Sequence, residues 1–203
     1  MLLIKSKFKI AKRLGAAVFE KTQTQKFALS EARARKPRGG GRGGSDYGRQ
    51  LLEKQRVRFT YGLSERQLAN YAHAAFAEAD PSATLHKLLE TRADSVVYRA
   101  GFSATRRAAR QAVSHGHFTI NGKRITTPSF RLKKGDTISV REGSRTSPLF
   151  AGLAEEKESN GRAVPPWISV DMNLMKVEIS GEPQYIPVEA GLDYATVFEF
   201  YSR

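Results

Sequence analysis

The sequence predicts an α+β protein: a mostly helical domain, a small helix–helix–β-hairpin module inserted into it, and a basic, largely extended amino-terminal arm. Three observations carry that reading. Helix-starting polar residues recur at Ser45-Asp46, Ser64 and Thr84 ahead of apolar-periodic runs. Asn121-Gly122 stands between two short alternating runs, the pattern of a tight hairpin. Five glycines in the seven residues Arg38 to Gly44 interrupt the chain before the first of these helices. The boundaries that follow are 1–44 for the arm, 45–90 with 146–203 for a helical domain ending in an acidic tail, and 91–145 for the module.

The first fifteen residues contain spaced lysines and no acidic side chain. Their apolar stretch, Met1-Leu2-Leu3-Ile4, is too short for a secretory signal, and the serine and arginine density of a transit peptide is missing. They read as a basic arm of the mature protein. The glycine-rich stretch cannot hold a helix, since each glycine costs about 1 kcal/mol relative to alanine. It suits a flexible linker, and with Arg33, Arg35, Lys36, Arg38 and Arg42 it equally suits a chain lying along a phosphate backbone.

Ser45-Asp46 caps a helix from Tyr47 to about Tyr61, ended by Gly62. Ser64-Glu65-Arg66-Gln67 is a capping box opening a second helix to about Ala79, and Asp80-Pro81-Ser82 breaks it. A third helix is expected from Thr84 to Gly101, with Leu85, Leu88, Leu89, Val96 and Val97 along one face. A fourth runs from Ala104 to His115, packing through Ala108, Ala109, Ala112 and Val113 and projecting Arg106, Arg107 and Arg110. After the Asn121-Gly122 hairpin, Thr137 to Val140 reads as a returning strand. In the tail, Pro165-Pro166-Trp167-Ile168 reads as a rigid turn and Lys176 to Ile179 as a strand. Leu192 to Tyr201 fits a helix or a strand.

Charge is partitioned along the chain. The formal net charge is +14, from 34 Lys+Arg against 20 Asp+Glu. Residues 1–50 and 91–145 hold the excess, residues 51–90 are neutral, and the tail is acidic. Two separate basic blocks predict a polyanionic partner. Arginine outnumbers lysine, 20 to 14, which favours phosphates and stackable bases over a simple anionic surface. With no homeodomain, zinc finger or basic-zipper pattern, structured RNA fits better than DNA.

Other classes are excluded by what is missing. The chain has no cysteine, hence no disulfide, thiol chemistry or cysteine-ligated zinc. His73, His86, His115 and His117 have no carboxylate partners placed for a metal centre. No window approaches the roughly 18–20 apolar residues of a membrane span. No Walker loop, nucleophile elbow or dinucleotide fingerprint is present, so neither catalytic residues nor a cofactor are expected. Asp94 reads as a local ion pair, Asp136 as a turn residue and Trp167 as a core or interface anchor. His115 and His117 fit helix capping and base stacking equally well.

The run Arg99-Ala100-Gly101-Phe102, Thr105 to Gln111, Val113 to His117 and Ile120 to Arg124 resembles the RNA-binding module named after ribosomal small-subunit protein four. Ser45 to Gly48, Leu52 to Gln55, Arg58-Phe59, Tyr61-Gly62 and Ser64 to Gln67 resemble the stretch before the module in bacterial-type members of that ribosomal family. Pro166-Trp167 and Glu199 to Arg203 resemble their carboxyl end.

The resemblance implies a non-enzymatic constituent of the cytoplasmic small ribosomal subunit, without excluding an organellar ribosome. It implies docking on the 5′ domain of small-subunit rRNA, nucleation of the subunit body, and contact with small-subunit proteins five and three. Translational accuracy and the channel through which mRNA enters are implicated as well. RNA contact is implied at Arg106, Arg107, Arg110, His115, His117, Lys123 and Arg124, and in the first region at Tyr47, Arg49, Lys54, Arg56 and Arg58. The basic turn residues Arg131, Lys133 and Lys134 join the candidate set on charge. Many relatives order the amino-terminal arm with a cysteine-held zinc; here RNA or packing must do so. Two other classes share the module: a free RNA-binding regulator, and an RNA-modifying enzyme of the pseudouridine synthase type, which needs a large further domain.

Overall fold

The computed structural model describes residues 4, 6–33, 45–151 and 163–203. Arg35, Lys36, Arg38, Arg42 and the glycine-rich stretch lie outside the described residues. The chain divides into two compact units, one running up to Leu85 and resuming at Tyr185–Arg203, the other His86–Gln184.

In the first unit, α1 (Lys7–Leu14) and α2 (Gln25–Ala32) are joined through two single-turn 3-10 helices. This segment was expected to be extended. Its apolar residues instead build a small core of Ala11, Leu14, Val18, Phe19 and Phe27, against which Leu52 and Phe59 of α3 (Asp46–Thr60) pack. Packing is therefore what orders it. The Ser45 hydroxyl accepts from the Gly48 amide at 3.1 Å and starts α3, and Ser64 and Gln67 complete the capping box of α4 (Glu65–Phe76).

The carboxyl-terminal segment resolves into two short helices, α10 (Pro187–Ala190) and α11 (Tyr194–Tyr201), settling the helix-or-strand question. Asp193 caps α11 through the Thr196 amide. The helix lies on α3 and α4: Tyr194 and Tyr61 hydroxyls meet at 3.3 Å, Gln50 donates to Glu199 at 3.0 Å, and Phe198 packs edge-on to Phe76 at 4.7 Å.

In the second unit, the expected third helix is broken. α5 (Pro81–Glu90), whose last turn belongs here, stops before Thr91, and α6 (Ala93–Arg99) restarts after Arg92. The break is made by distant backbone: the Ala93 amide donates to the Phe130 carbonyl at 2.9 Å, and Leu132 donates to Thr91 at 2.9 Å. α7 (Arg106–Ser114) follows, capped by Thr105.

Five antiparallel strands, β1 (Phe118–Ile120), β2 (Lys123–Ile125), β3 (Thr137–Val140), β4 (Ile168–Asp171) and β5 (Lys176–Ile179), form one sheet in the order β2-β1-β3-β5-β4. Asn121 and Gly122 have φ of 49° and 79°, as the tight hairpin requires. The register places Phe118 opposite Val140, Ile138 opposite Val177, and Ile168 opposite Ile179. These residues are buried against Val96, Val97, Ala109 and Val113 of α6 and α7. Two short helices, α8 (Glu142–Arg145) and α9 (Pro148–Ala151), bring in Phe150.

This sheet corrects the domain boundary drawn at residue 146. Trp167 ends the expected turn and is the core anchor its chemistry suggested, but it is buried in the module's own core and leads into β4. Residues 168–179 complete the module and do not belong with the helical domain.

Candidate nucleic-acid interface

The carboxyl end of α7, the hairpin and the turn before β3 are tied together by hydrogen bonds, and exposed basic side chains stand on each. Helical spacing puts Arg107, Gln111, Ser114 and His115 on the outer face of α7, and all four are exposed. At the end of that face Arg124 donates to the His115 carbonyl at 3.1 Å and the Gly116 carbonyl at 3.2 Å. Lys123 precedes it at the hairpin tip. Asn121 in turn donates to Asp136 at 2.9 Å, and Asp136 accepts from the Lys133 amide at 2.8 Å. That brings the exposed Lys133 and Lys134 beside the tip. Asp136 is the turn residue its position suggested.

The result is a basic rim: Arg107 at the start of α7, then, past Gln111 and Ser114, His115, Arg124, Lys123, Lys133 and Lys134. Arg131 is exposed as well. Sequence reading missed Arg141, also exposed, whose amide donates to the His117 carbonyl at 2.8 Å. Only the strand pairing identifies it, because it sits just past β3.

Several candidates stand elsewhere. Arg106 and Arg110 do share a face, but it is the inner one. Arg106 donates to Glu90 at 3.1 Å and Ser95 at 3.3 Å and lies over the Tyr98 ring at 4.6 Å. Arg110 donates to Asp94 at 2.7 Å. Their side chains are 14% and 16% exposed. Glu90 also takes a fork from Arg99, and Asp94 one from the buried Arg92, both oxygens at 2.9 Å. The carboxylates come from α5 and α6, so the absence of acid within α7 itself was misleading. Asp94 is an ion-pair residue, as expected.

His117 is half-buried. Its Nδ1 is 3.0 Å from the Ser144 hydroxyl and its ring meets Phe150 edge-on. Burial holds its pKa below the usual histidine value, helped by His115, Arg141 and Arg124. Ser144 and Phe150 anchor the ring, while His115 stands exposed on the rim. Nearby His86 is buried and likewise held low by desolvation, with Glu90 opposing and Arg99 and Arg106 adding to the effect.

In the first unit, Lys54 is withdrawn from solvent: its ammonium pairs with Glu65 at 2.8 Å and sits 3.8 Å from the Phe200 ring centre. Arg58 bonds Gln55 and Leu63, and Arg56 donates to the last carbonyl of α1, Leu14, at 2.7 Å while pairing with Glu53. These three hold the helices together. Tyr47 and Arg49 are exposed, the tyrosine leaning on Phe200. Arg33 lines a groove between α1 and α2 with Lys12 and Lys26, two cations that sequence reading left out. Lys12 donates to the Ser30 carbonyl across it at 3.0 Å.

Among the described residues, no His, Cys, Asp or Glu cluster is placed to hold a metal, and no helix is long and apolar enough to cross a membrane. What the rim offers is fixed positive charge and hydrogen-bond donors on a stiff scaffold, suited to phosphates and to the shape of a folded polynucleotide.

Comparison with known proteins agrees. Residues 3–91 match the family model described as the ribosomal protein S4/S9 N-terminal domain, and residues 91–138 match the S4 domain. Proteins named small ribosomal subunit protein uS4 align over most of the chain. That of Borrelia turicatae is 38% identical over 201 residues, covering 98% of this chain and 96% of the relative. That of Roseiflexus castenholzii is 38% identical over 204 residues, 96% of each. That of Thermus thermophilus is 41% identical over 174 residues, 85% of this chain and 79% of the relative. These relatives are named as ribosomal components, not as enzymes. With both family models in sequence along it and relatives aligned nearly end to end, the chain belongs to the small ribosomal subunit protein uS4 family.

Proposed function

We propose that the protein is a structural, non-catalytic component of the small ribosomal subunit that binds rRNA by electrostatic docking and shape recognition. The observation that carries this is the basic rim of Arg107, His115, Arg124, Lys123, Lys133 and Lys134 on one hydrogen-bonded scaffold, in a chain of the uS4 family. The target is the 5′ domain of small-subunit rRNA, where binding nucleates the subunit body. Tyr47, Arg49, Arg33, Lys12 and Lys26 supply further contacts from the first unit. Contacts with small-subunit proteins five and three, an influence on translational accuracy, and proximity to incoming mRNA belong to the same reading.

A filter-binding titration of the 5′ domain at several salt concentrations tests it. The wild-type chain binds tightly with a steep salt dependence, and replacing Arg107, Lys123, Lys133 and Lys134 by glutamine flattens the slope by about one unit per lost phosphate contact. An unchanged slope removes the rim from the interface. Stoichiometric sedimentation with mature small subunits separates a ribosomal component from a free regulator.

A further inference from the structure

We infer that Glu90 and Asp94 set the RNA selectivity of the module by withholding Arg106 and Arg110 from phosphate. The inference rests on the RNA-binding reading above. A guanidinium fork engages a carboxylate and a phosphate in the same bidentate geometry, so a carboxylate inside the protein competes for it with RNA. Each of these two carboxylates has one arginine that holds it and one that it holds. Arg99 grips Glu90 at 2.7 and 2.9 Å, and Glu90 in turn takes Arg106 at 3.1 Å. Arg92 grips Asp94 with two bonds of 2.9 Å, and Asp94 takes Arg110 at 2.7 Å. The carboxylates are 2% and 4% exposed.

The consequence lies on α7. Three arginines fall within five residues, yet Arg106 and Arg110 are turned inward and Arg107 outward. With all three outward, the helix would bind any polyanion, because phosphate neutralisation is blind to sequence and shape. With two restrained, affinity depends on an RNA whose backbone follows the rim from Arg107 to Lys134. Glu90 and Asp94 are thus specificity-determining residues that act through the arginines they hold.

The test uses the full chain and two probes, the rRNA 5′ domain and poly(U), titrated across a salt series. Glu90→Gln and Asp94→Asn each remove one negative charge and loosen the α7 guanidinium, Arg106 or Arg110, together with the arginine that grips the carboxylate, Arg99 or Arg92. Binding to poly(U) is expected to strengthen, with a salt slope steeper by about 0.7, and the preference for the 5′ domain over poly(U) to fall. A purely structural role would weaken both. Unchanged or weaker poly(U) binding in variants that keep the wild-type circular dichroism spectrum overturns the inference.

Should those variants not fold, Arg106→Met decides. It leaves Glu90 paired with Arg99, and is expected to keep the wild-type salt slope while Arg107→Gln lowers it by about one unit. Equal losses in the two overturn the inference. A wild-type chain that does not prefer the 5′ domain to poly(U) instead overturns the functional reading beneath it.

Discussion

Arg124 folds its guanidinium over Gly116, donating to the carbonyls of Gly116 and His115 and so closing the carboxyl end of α7 with positive charge. Those carbonyls lack partners within the helix and carry the negative end of its dipole, so a cation there is favourable on both counts. Gly116 has φ of 73°, and a Cβ at that position would fall inside the Arg124 guanidinium. One contact thus joins helix and hairpin and fixes where the rim turns.

Gly116→Ala is therefore expected to cost about 1–3 kcal/mol, combining left-handed backbone strain with displacement of Arg124. A urea titration measures the cost. RNA affinity should fall as well, since the displaced arginine no longer aligns with His115 and Lys123. Stability within about 0.5 kcal/mol of wild type would mean that the guanidinium moves aside freely.

Lys54→Gln separates a packing cation from a docking one. The buried ammonium answers Glu65 and the Phe200 ring, so its loss removes the nearer of two cations on Glu65, which keeps Arg58 at 3.7 Å and the Tyr201 hydroxyl at 3.1 Å, and removes a cation–π pair. A destabilisation of about 1–3 kcal/mol is expected in urea, with the salt slope of RNA binding unchanged. A flattened slope in a stable variant would return Lys54 to the interface.

These two residues illustrate what the sequence carries. Local signals were read correctly: the capping box at Ser64, the Asn121-Gly122 hairpin and the start of α3 depend on neighbours a few residues away. Long-range decisions were not legible. The break at Thr91-Arg92 is made by Phe130 and Leu132, and the inward turn of Arg106 by Glu90 on another helix. Lys54 and Arg49 look alike as basic residues of one helix, and only packing by Glu65 and the terminal aromatics separates them.

Acidification provides a third test. The imidazoles of His86 and His117 are both held low, chiefly by burial, so the unfolded chain binds more protons than the folded one below about pH 6.5. The stability they contribute is complete above that value and is lost as pH falls through it. Burial raises the Glu53 carboxyl, with Arg56 opposing and Asp193 adding, and that works in the opposite sense. The histidine effect is thus read as a difference. Between about pH 7.5 and pH 5.5 the urea midpoint of wild type should drop further than that of His117→Gln. Parallel profiles would show that His117 charges as readily in the folded chain as in the unfolded one.

The boundary of the RNA-binding module is open to direct measurement. The S4 domain match ends at residue 138, inside β3, and the helix, hairpin and charge pattern of the sequence suggests a module ending at 145. The central strand pairing continues past both points. Ile138 lies opposite Val177, and Val177 opposite Val170, so cutting at 145 turns β3 into an edge and uncovers the face it shares with β5. Trp167, Ile168, Val177 and Ile179 all leave the core with that cut. At about 1.5–3 kcal/mol for each large buried side chain, the loss is on the order of 6–12 kcal/mol, as large as the whole stability of an ordinary domain. A fragment of residues 86–145 is therefore expected to give collapsed amide proton shifts and no cooperative urea transition. A fragment of residues 86–184 should give dispersed shifts, a single transition and RNA binding that falls with salt. Cooperative folding of the shorter fragment would show that β4 and β5 lean on a module already stable without them.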